Sequence, residues 1–426
     1  MHHPGDVSLS FFYACVLASG DLRLREEDTM TATRLYFDDP FLLAFTATVT
    51  AHAEHGGRPA LVLDQSAFYP EAGGQMADKG LLAELPVVDT QEDESGRVLH
   101  IVDTTAPLPA IGARVDGRVE KARRRTHMAL HTGQHMLSRA LLDVAGGETV
   151  SSRLGETECT IDLSKETVSD ADLARAEDLV NAVIDDDVVV RAYFPTPDEL
   201  ATLPLRRKPK VTENVRVVDV NGYDVSPCGG THVTRTGQIG LVHIEKIEKK
   251  KGLARVTFSA GPRLRASLFR EDAVLRDFSR TFSCGLLEVP AAVDKLAREL
   301  KDARLAFSRV QGQLAGHLRE GVLARMADDT RSFVPLVFDD VDVGFLRALA
   351  PSLATGSRTV VLGARSDDGT HVLVARGPDA TTDAGKILAD IAVRAGGKGG
   401  GKSDLAQGKI PAGADLLAIA LAVGGT

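Results

Sequence analysis

Arg123-Arg124-Arg125-Thr126-His127-Met128-Ala129-Leu130-His131-Thr132-Gly133-Gln134-His135-Met136-Leu137 decides how this chain is read. Met128, Leu130, His131, His135, Leu137, Leu141 and Leu142 recur at helical spacing, which predicts a helix over 123–142. Gly146 and Gly147 follow as the glycines that end helices. Residues four apart on a helix share one face, about 6 Å apart. His131 and His135 can therefore offer two imidazoles to one metal ion. His127, one turn earlier, shows that helical histidines alone are a cheap pattern.

The second half of the pattern lies far downstream, in Ser226-Pro227-Cys228-Gly229-Gly230-Thr231-His232. Cys228 and His232 are again four apart, here in a glycine-containing turn after the strand-like run 215–220. The two pairs can meet only by folding. Thiolate and imidazole are donors that zinc favours, so His131, His135, Cys228 and His232 are expected to bind one Zn2+. Ligand count does not separate a closed structural site from a catalytic one with an open position. No Glu follows His131, so the His-Glu-x-x-His site of zinc proteases is absent. No Gly-x-x-x-x-Gly-Lys-Ser/Thr phosphate loop occurs either, and nothing suggests that the chain uses ATP.

Outward from these pairs the chain divides into five stretches. Residues 1–29 read as an extension, and Met30 as the translation start. From 30 to 120 short apolar runs, such as 43–49, 60–63 and 98–102, alternate with Gly, Pro and Asp turns, as in a small β-barrel or sandwich. Within it stands the glycine-containing loop Phe68-Tyr69-Pro70-Glu71-Ala72-Gly73-Gly74-Gln75. Residues 121–262 interleave strands and helices in an α+β domain. From 263 to 330 the chain is helical and charged, with Leu296, Leu300, Ala303, Phe307, Val310 and Leu314 as an apolar stripe suited to partner packing. From 331 to 426 a β/α pattern returns. There Lys398-Gly399-Gly400-Gly401-Lys402 reads as an internal loop whose bare backbone approaches a ligand.

The composition is that of a globular protein, and the net charge of −9 restricts nucleic-acid binding to local basic patches. Three are present: Lys121, Arg123, Arg124 and Arg125; Arg206, Arg207, Lys208 and Lys210; Lys246, Lys249, Lys250 and Lys251. Each also fits an ordinary solvated face. With no Trp, stacking platforms are scarce. The scattered cysteines Cys15, Cys159, Cys228 and Cys284 suggest no disulfide framework, and no stretch has the length of a membrane span, which leads to the expectation of a cytoplasmic protein.

The paired motifs His131-Thr132-Gly133-Gln134-His135 and Cys228-Gly229-Gly230-Thr231-His232 resemble those of alanyl-tRNA synthetase editing domains. The 68–75 loop resembles the glycine-rich loop of that family, and Gly396 to Gln407 resembles its C-terminal motif, in matching order across 31–426. There is no room for the synthetic half. The chain therefore resembles the freestanding editing proteins of the AlaX type, in the long form with a C-terminal DHHA1-like domain. Gly401-Lys402-Ser403 stands where the family usually has Gly-Arg-Pro, which keeps a charge but loses the guanidinium fork.

The resemblance implies an α+β multidomain protein: a small N-terminal β-barrel, a zinc-binding α+β editing domain, a helical connector and a C-terminal α/β domain. It implies zinc-dependent hydrolysis of mischarged tRNA(Ala), Ser-tRNA(Ala) first and Gly-tRNA(Ala) second. Gly73, Gly74 and Gln75 are expected to line the substrate site, and Ser151 and Ser152 to read the serine hydroxyl. Lys398, Gly399, Gly400, Gly401 and Lys402 are expected to contact RNA, and the connector and tail to form a homodimer. Two rivals stand beside this reading. One is editing of another tRNA, since threonyl synthetase editing domains carry a similar motif pair. The other is a non-catalytic zinc protein that binds tRNA.

Overall fold

The computed structural model describes residues 32–209, 211–325 and 331–424. The expected extension, Met30, Cys15 and Lys210 lie outside the described residues. Two compact units divide at Val274/Leu275.

In the first unit, Ala44–His55, Arg58–Leu63, Val98–Val102, Leu85–Glu92, Gly80–Leu82 and Arg114–Val119 pair in that order and close into a six-stranded antiparallel barrel. Strand periodicity builds its interior: Phe45, Ala47 and Val49 point inward against Val115, Val119 and Leu82 while their neighbours face out. Gly117 belongs to this packing, because a Cβ there would lie 2.4 Å from the Phe45 ring.

Helix α1 (Lys121–Ala145) leaves the last barrel strand and ends on Gly146 in the left-handed region (φ 64°). It packs on a four-stranded antiparallel sheet ordered Val242–Lys250, Leu253–Ala260, Cys159–Leu163, Thr149–Leu154. Helix α2 (Asp170–Asp185), capped by Ser169, packs beside it. Met128, Leu137, Leu141, Ile161, Val180 and Phe258 are among the core side chains shared by these elements. After α3 (Pro197–Thr202), a small antiparallel sheet of Val190–Tyr193, Val217–Val220 and Val225–Pro227 carries the chain into the Cys228 turn.

One ion pair joins barrel and α1. Arg124 and Asp78, both fully buried, meet at 2.5 Å, and Arg124 also donates to the Pro40 carbonyl at 2.7 Å. Asp78 accepts from the Tyr69 backbone N–H at 2.8 Å and so anchors the glycine-rich loop. This overturns the solvated reading for Arg123 and Arg124, while Lys121 and Arg125 are exposed. Arg124 is interior, Arg123 is held by Glu156 and the Ala77 carbonyl, and Arg125 stacks on Phe41.

Helices α4 (Gly261–Phe282) and α5 (Val289–Arg325) follow. In the second unit, α5 and α6 (Val343–Leu353) cover one face of a five-stranded sheet and α7 (Ala384–Ala395) and α8 (Leu416–Gly424) the other. The strand order is Phe333–Asp339, Thr359–Ser366, Gly369–Arg376, Leu405–Ile410, Lys398–Gly401. The glycine run expected as a loop is thus an edge strand. Its glycines allow two backbones to close in: a Cβ on Gly399 would lie 2.7 Å from Gly408 Cα, and one on Gly401 2.3 Å from Ala406 Cα. Glycine's poor strand propensity hides such a strand from composition. Leu296, Leu300, Phe307, Val310 and Leu314 on α5 are about half exposed. Among the described residues no helix is long and apolar enough to cross a membrane.

Candidate metal centre and cleft

Folding brings the two pairs together. The ligand atoms of His131, His135, Cys228 and His232 all lie within 4.8 Å of one another. Cys228 Sγ is 3.4 Å from His131 Nε2 and 3.3 Å from His232 Nε2. The three imidazoles are buried.

Each histidine spends its other nitrogen on an outer partner. His131 Nδ1 donates to Gln75 Oε1 at 2.7 Å, His135 Nδ1 to Asp224 Oδ2 at 3.1 Å, and His232 Nδ1 to Thr132 Oγ1 at 3.2 Å. These contacts put a proton on every Nδ1 and turn every Nε2 inward, which is how outer partners prepare metal-binding histidines. Asp224 is itself held by Arg206 at 2.5 Å and Ser226 at 2.9 Å. Arg206, expected on a basic surface, is instead nearly buried behind the site.

The protonation pattern agrees with ligation. Burial, then the positive His135 nearby, holds His131 well below the usual histidine range. Burial, then His131, takes His232 down to about 3. For Cys228 burial acts upward, but His232 and His135 outweigh it and hold the thiol well below its ordinary value. For His135 burial acts downward, but Cys228 and Asp224 prevail and raise it. Burial also opposes ionisation of Asp224, yet His135 and Arg206 bring it to about 2.

The set fits a zinc ion on two observations. His135 Nε2 is buried and has no hydrogen-bond partner, a costly arrangement unless something binds it. The donors, one thiolate and three imidazole nitrogens, are those of zinc sites.

The Cys228 turn is shaped from several sides. Buried Arg216 donates to the carbonyls of Cys228 (3.2 Å) and Gly230 (2.8 Å). A Cβ on Gly230 would lie 2.2 Å from His131 Cε1, so only glycine fits against the imidazole. Gln75 reaches in from the barrel loop, accepting from the Thr231 N–H at 3.1 Å and donating to its hydroxyl at 2.9 Å.

A cleft of about 1050 Å³ opens beside the centre, and His131 and Cys228 form part of its wall. Gly73, Gly74, Ser151 and Ser152 line it as well. A Cβ on Gly74 (φ 88°) would lie 2.6 Å from the Ser152 carbonyl, so the glycine loop rests directly on the serine strand. Gln75 stands behind the wall, with its carboxamide committed to His131 and Thr231. The Ser151 hydroxyl donates to Asp162 at 2.8 Å, and Asp162 is also paired with Arg255. Arg34, Arg207, Lys208 and Arg216 line the cleft, and among the described residues no Asp or Glu lines it. Lys398 and Lys402 are exposed in the second unit.

Sequence reasoning missed Thr132, Asp224, Arg206 and Arg216 as supports. Thr132 lay inside the first motif and was readable there as a neighbour of the ligands. The other three carry no spacing signal, because each reaches the site through pairing of the small sheet.

The chain is similar to known proteins over most of its length. Residues 215–257 match the threonyl and alanyl tRNA synthetase second additional domain, 24–123 the class II (A) tRNA synthetases, and 330–423 the DHHA1 domain. The chain is 29% identical over 397 residues to the alanyl-tRNA editing protein AlaX-L of Pyrococcus horikoshii, covering 89% of this chain and 95% of that one. It is 31% identical over 424 residues to the alanine–tRNA ligase of Halorubrum lacusprofundi, covering 94% of this chain and 45% of the ligase. The chain thus spans under half the length of that enzyme. The C-Ala domain of Aquifex aeolicus alanyl-tRNA synthetase aligns with 22% of the chain at 24% identity and a TM-score of 0.21, too little to carry an argument.

Proposed function

We infer that this chain, which belongs with the AlaX-type alanyl-tRNA editing proteins, hydrolyses the ester of mischarged tRNA(Ala), with Ser-tRNA(Ala) as first substrate and Gly-tRNA(Ala) as second. The observation that carries this reading is the joining of a four-donor metal set and a serine-lined, cationic cleft in one wall. His131, His135, Cys228 and His232 would hold Zn2+, which when bound supplies Lewis acidity and a fixed point for orienting the ester.

The chain's own groups account for the rest. A cleft with four cations and no carboxylate attracts the phosphates of RNA. It also offers no Asp or Glu as a general base. Ser151 uses its proton on Asp162, so its oxygen can accept from a substrate hydroxyl. The half-buried Ser152 hydroxyl has no such tie and can either donate or accept. A site built to bond the serine hydroxyl rejects alanine, whose methyl would leave those groups unpaired. In the net reaction, water oxygen bonds to the acyl carbon, the acyl–ribose oxygen bond breaks, and the ribose oxygen takes a proton.

The test is a deacylation time course on Ser-tRNA(Ala), Gly-tRNA(Ala) and Ala-tRNA(Ala), with and without chelator. Rapid, chelator-sensitive loss of serine with alanine spared is expected. Equal binding of charged and uncharged tRNA with no hydrolysis would sink the reading. The matched second additional domain is shared with threonyl synthetases, so Ser-tRNA(Thr) belongs in the panel; preference for it would move the specificity there.

The second unit would hold the tRNA body. Lys398 and Lys402 flank an exposed glycine strand open to phosphates, and the exposed apolar stripe of α5 suits a homodimer. Lys398→Glu with Lys402→Glu should raise KM and flatten its salt dependence with single-turnover hydrolysis little changed. A normal salt slope would remove the RNA contact, and a monomer in sedimentation would remove the dimer.

A further inference from the structure

The cleft is much larger than a serine side chain needs, and its outer part has a chemistry of its own. Pockets of about 300–1,000 Å³ hold ligands of drug size, and 1050 Å³ is at the top of that range. Phe194, at the end of Val190–Tyr193, lines the cleft while 50% exposed. Its ring is fixed edge-on against Phe37, with centroids 5.5 Å apart. Phe37 is in turn held by Arg216 stacked 4.9 Å from its centroid and by Tyr36 at 4.8 Å. Arg207 and Lys208 are exposed and line the same cleft as this aromatic shelf. An exposed, braced aromatic ring and two cations lining one cleft are the elements that bind a single-stranded nucleotide: the base stacks and the phosphate pairs with the cations.

We propose that Phe194, Arg207 and Lys208 form the subsite for the 3′-terminal nucleotide of the acylated RNA, with the base on Phe194 and its 5′ phosphate at Arg207 and Lys208. This rests on the editing reading and assigns the part of the substrate that the metal and the serines leave untouched. It makes the shelf a positioning device: the base is clamped so that the ester on its ribose reaches the metal centre.

The experiment uses the full zinc-loaded chain with two probes: 5′-adenosine monophosphate, and a non-hydrolysable 3′-seryl-amino-adenosine 5′-phosphate. Binding of both is measured for wild type, Phe194→Ala, Phe194→Tyr and Arg207→Gln with Lys208→Gln. Phe194→Ala should weaken both probes by roughly 5- to 100-fold, the range found on removing one stacking ring, and Phe194→Tyr should restore binding to within a few-fold. The double Gln variant should lower the salt dependence by roughly one phosphate contact. Unchanged affinity in Phe194→Ala, with zinc content and melting temperature intact, overturns the subsite. So does loss in Phe194→Ala that Phe194→Tyr does not rescue. Adenosine monophosphate binding is scored apart from hydrolysis. An inactive wild type that still loses it in Phe194→Ala breaks the editing reading alone, whereas active hydrolysis insensitive to Phe194 breaks the subsite alone.

Discussion

The His131/His135 pair and the Cys228/His232 pair share a four-residue spacing and are held by different forces. On α1 the spacing comes from the helix itself: backbone hydrogen bonds stack the two imidazoles, and neighbouring side chains only orient them. In the turn no repeating hydrogen bond sets the distance. The pair is shaped by Arg216 on two carbonyls, by Gln75 on Thr231, by Thr132 on the Val233 N–H at 3.2 Å, and by the lack of room at Gly230. A locally built half-site tolerates change nearby. A half-site assembled from other segments fails when any of them moves.

Two glycines, one within each pair, give the largest contrast. Gly230→Ala drives a Cβ into His131 and should abolish stoichiometric zinc binding. Gly133→Ala meets the Val242 and Ala260 side chains at 3.1 and 3.2 Å, which they relieve by shifting a few tenths of an ångström, and it gains helix propensity. It should retain zinc. Metal content of the purified variants decides this, and equal zinc in both would break the comparison.

Asp224→Asn tests whether the helical pair also leans on the turn. It removes the carboxylate that orients His135, and losses of roughly 10–100-fold in zinc affinity are typical of such outer partners. Competition with a chromophoric chelator measures it. An unchanged affinity would show that α1 positions His135 unaided.

The pH dependence sharpens the contrast between His135 on the helix and Cys228 in the turn. In the metal-free site burial favours neutral His131 and His232, the neighbouring histidines favour the Cys228 thiolate, and Cys228 and Asp224 favour a proton on His135. Zinc displaces that proton, so binding weakens as pH falls. Fewer protons should be released per zinc near pH 6 than the roughly three or more expected of four unperturbed donors. Calorimetry in buffers of different ionisation enthalpy counts the protons. A count of three would show that the site is not preorganised.

The smallest effect lies on the substrate side. Ser152→Ala should lower kcat/KM for Ser-tRNA(Ala) by roughly 3- to 10-fold, the scale of one neutral hydrogen bond, and Ser151→Ala by less, since Asp162 already claims its proton. Gly-tRNA(Ala) should be affected less by either change. Equal losses on both substrates would remove the serines from hydroxyl reading.

The amino-acid sequence by itself picked out the four candidate ligands that the fold brings together, because spacing on a helix and a Cys-x-x-x-His turn are local facts. It determined the central helix too: the one read over 123–142 appears within α1. Tertiary structure alone decided what the charges and glycines do. Arg124, Arg206 and Arg207 look alike in basic runs, yet one is an interior joint, one supports the ligand shell and one faces the cleft. The reason is physical. An arginine's role depends on which carboxylate or carbonyl the fold brings to it, and a glycine's on which atom would meet its missing Cβ. Both partners come from distant segments: Asp78 for Arg124, Asp224 for Arg206, His131 for Gly230 and Gly408 for Gly399.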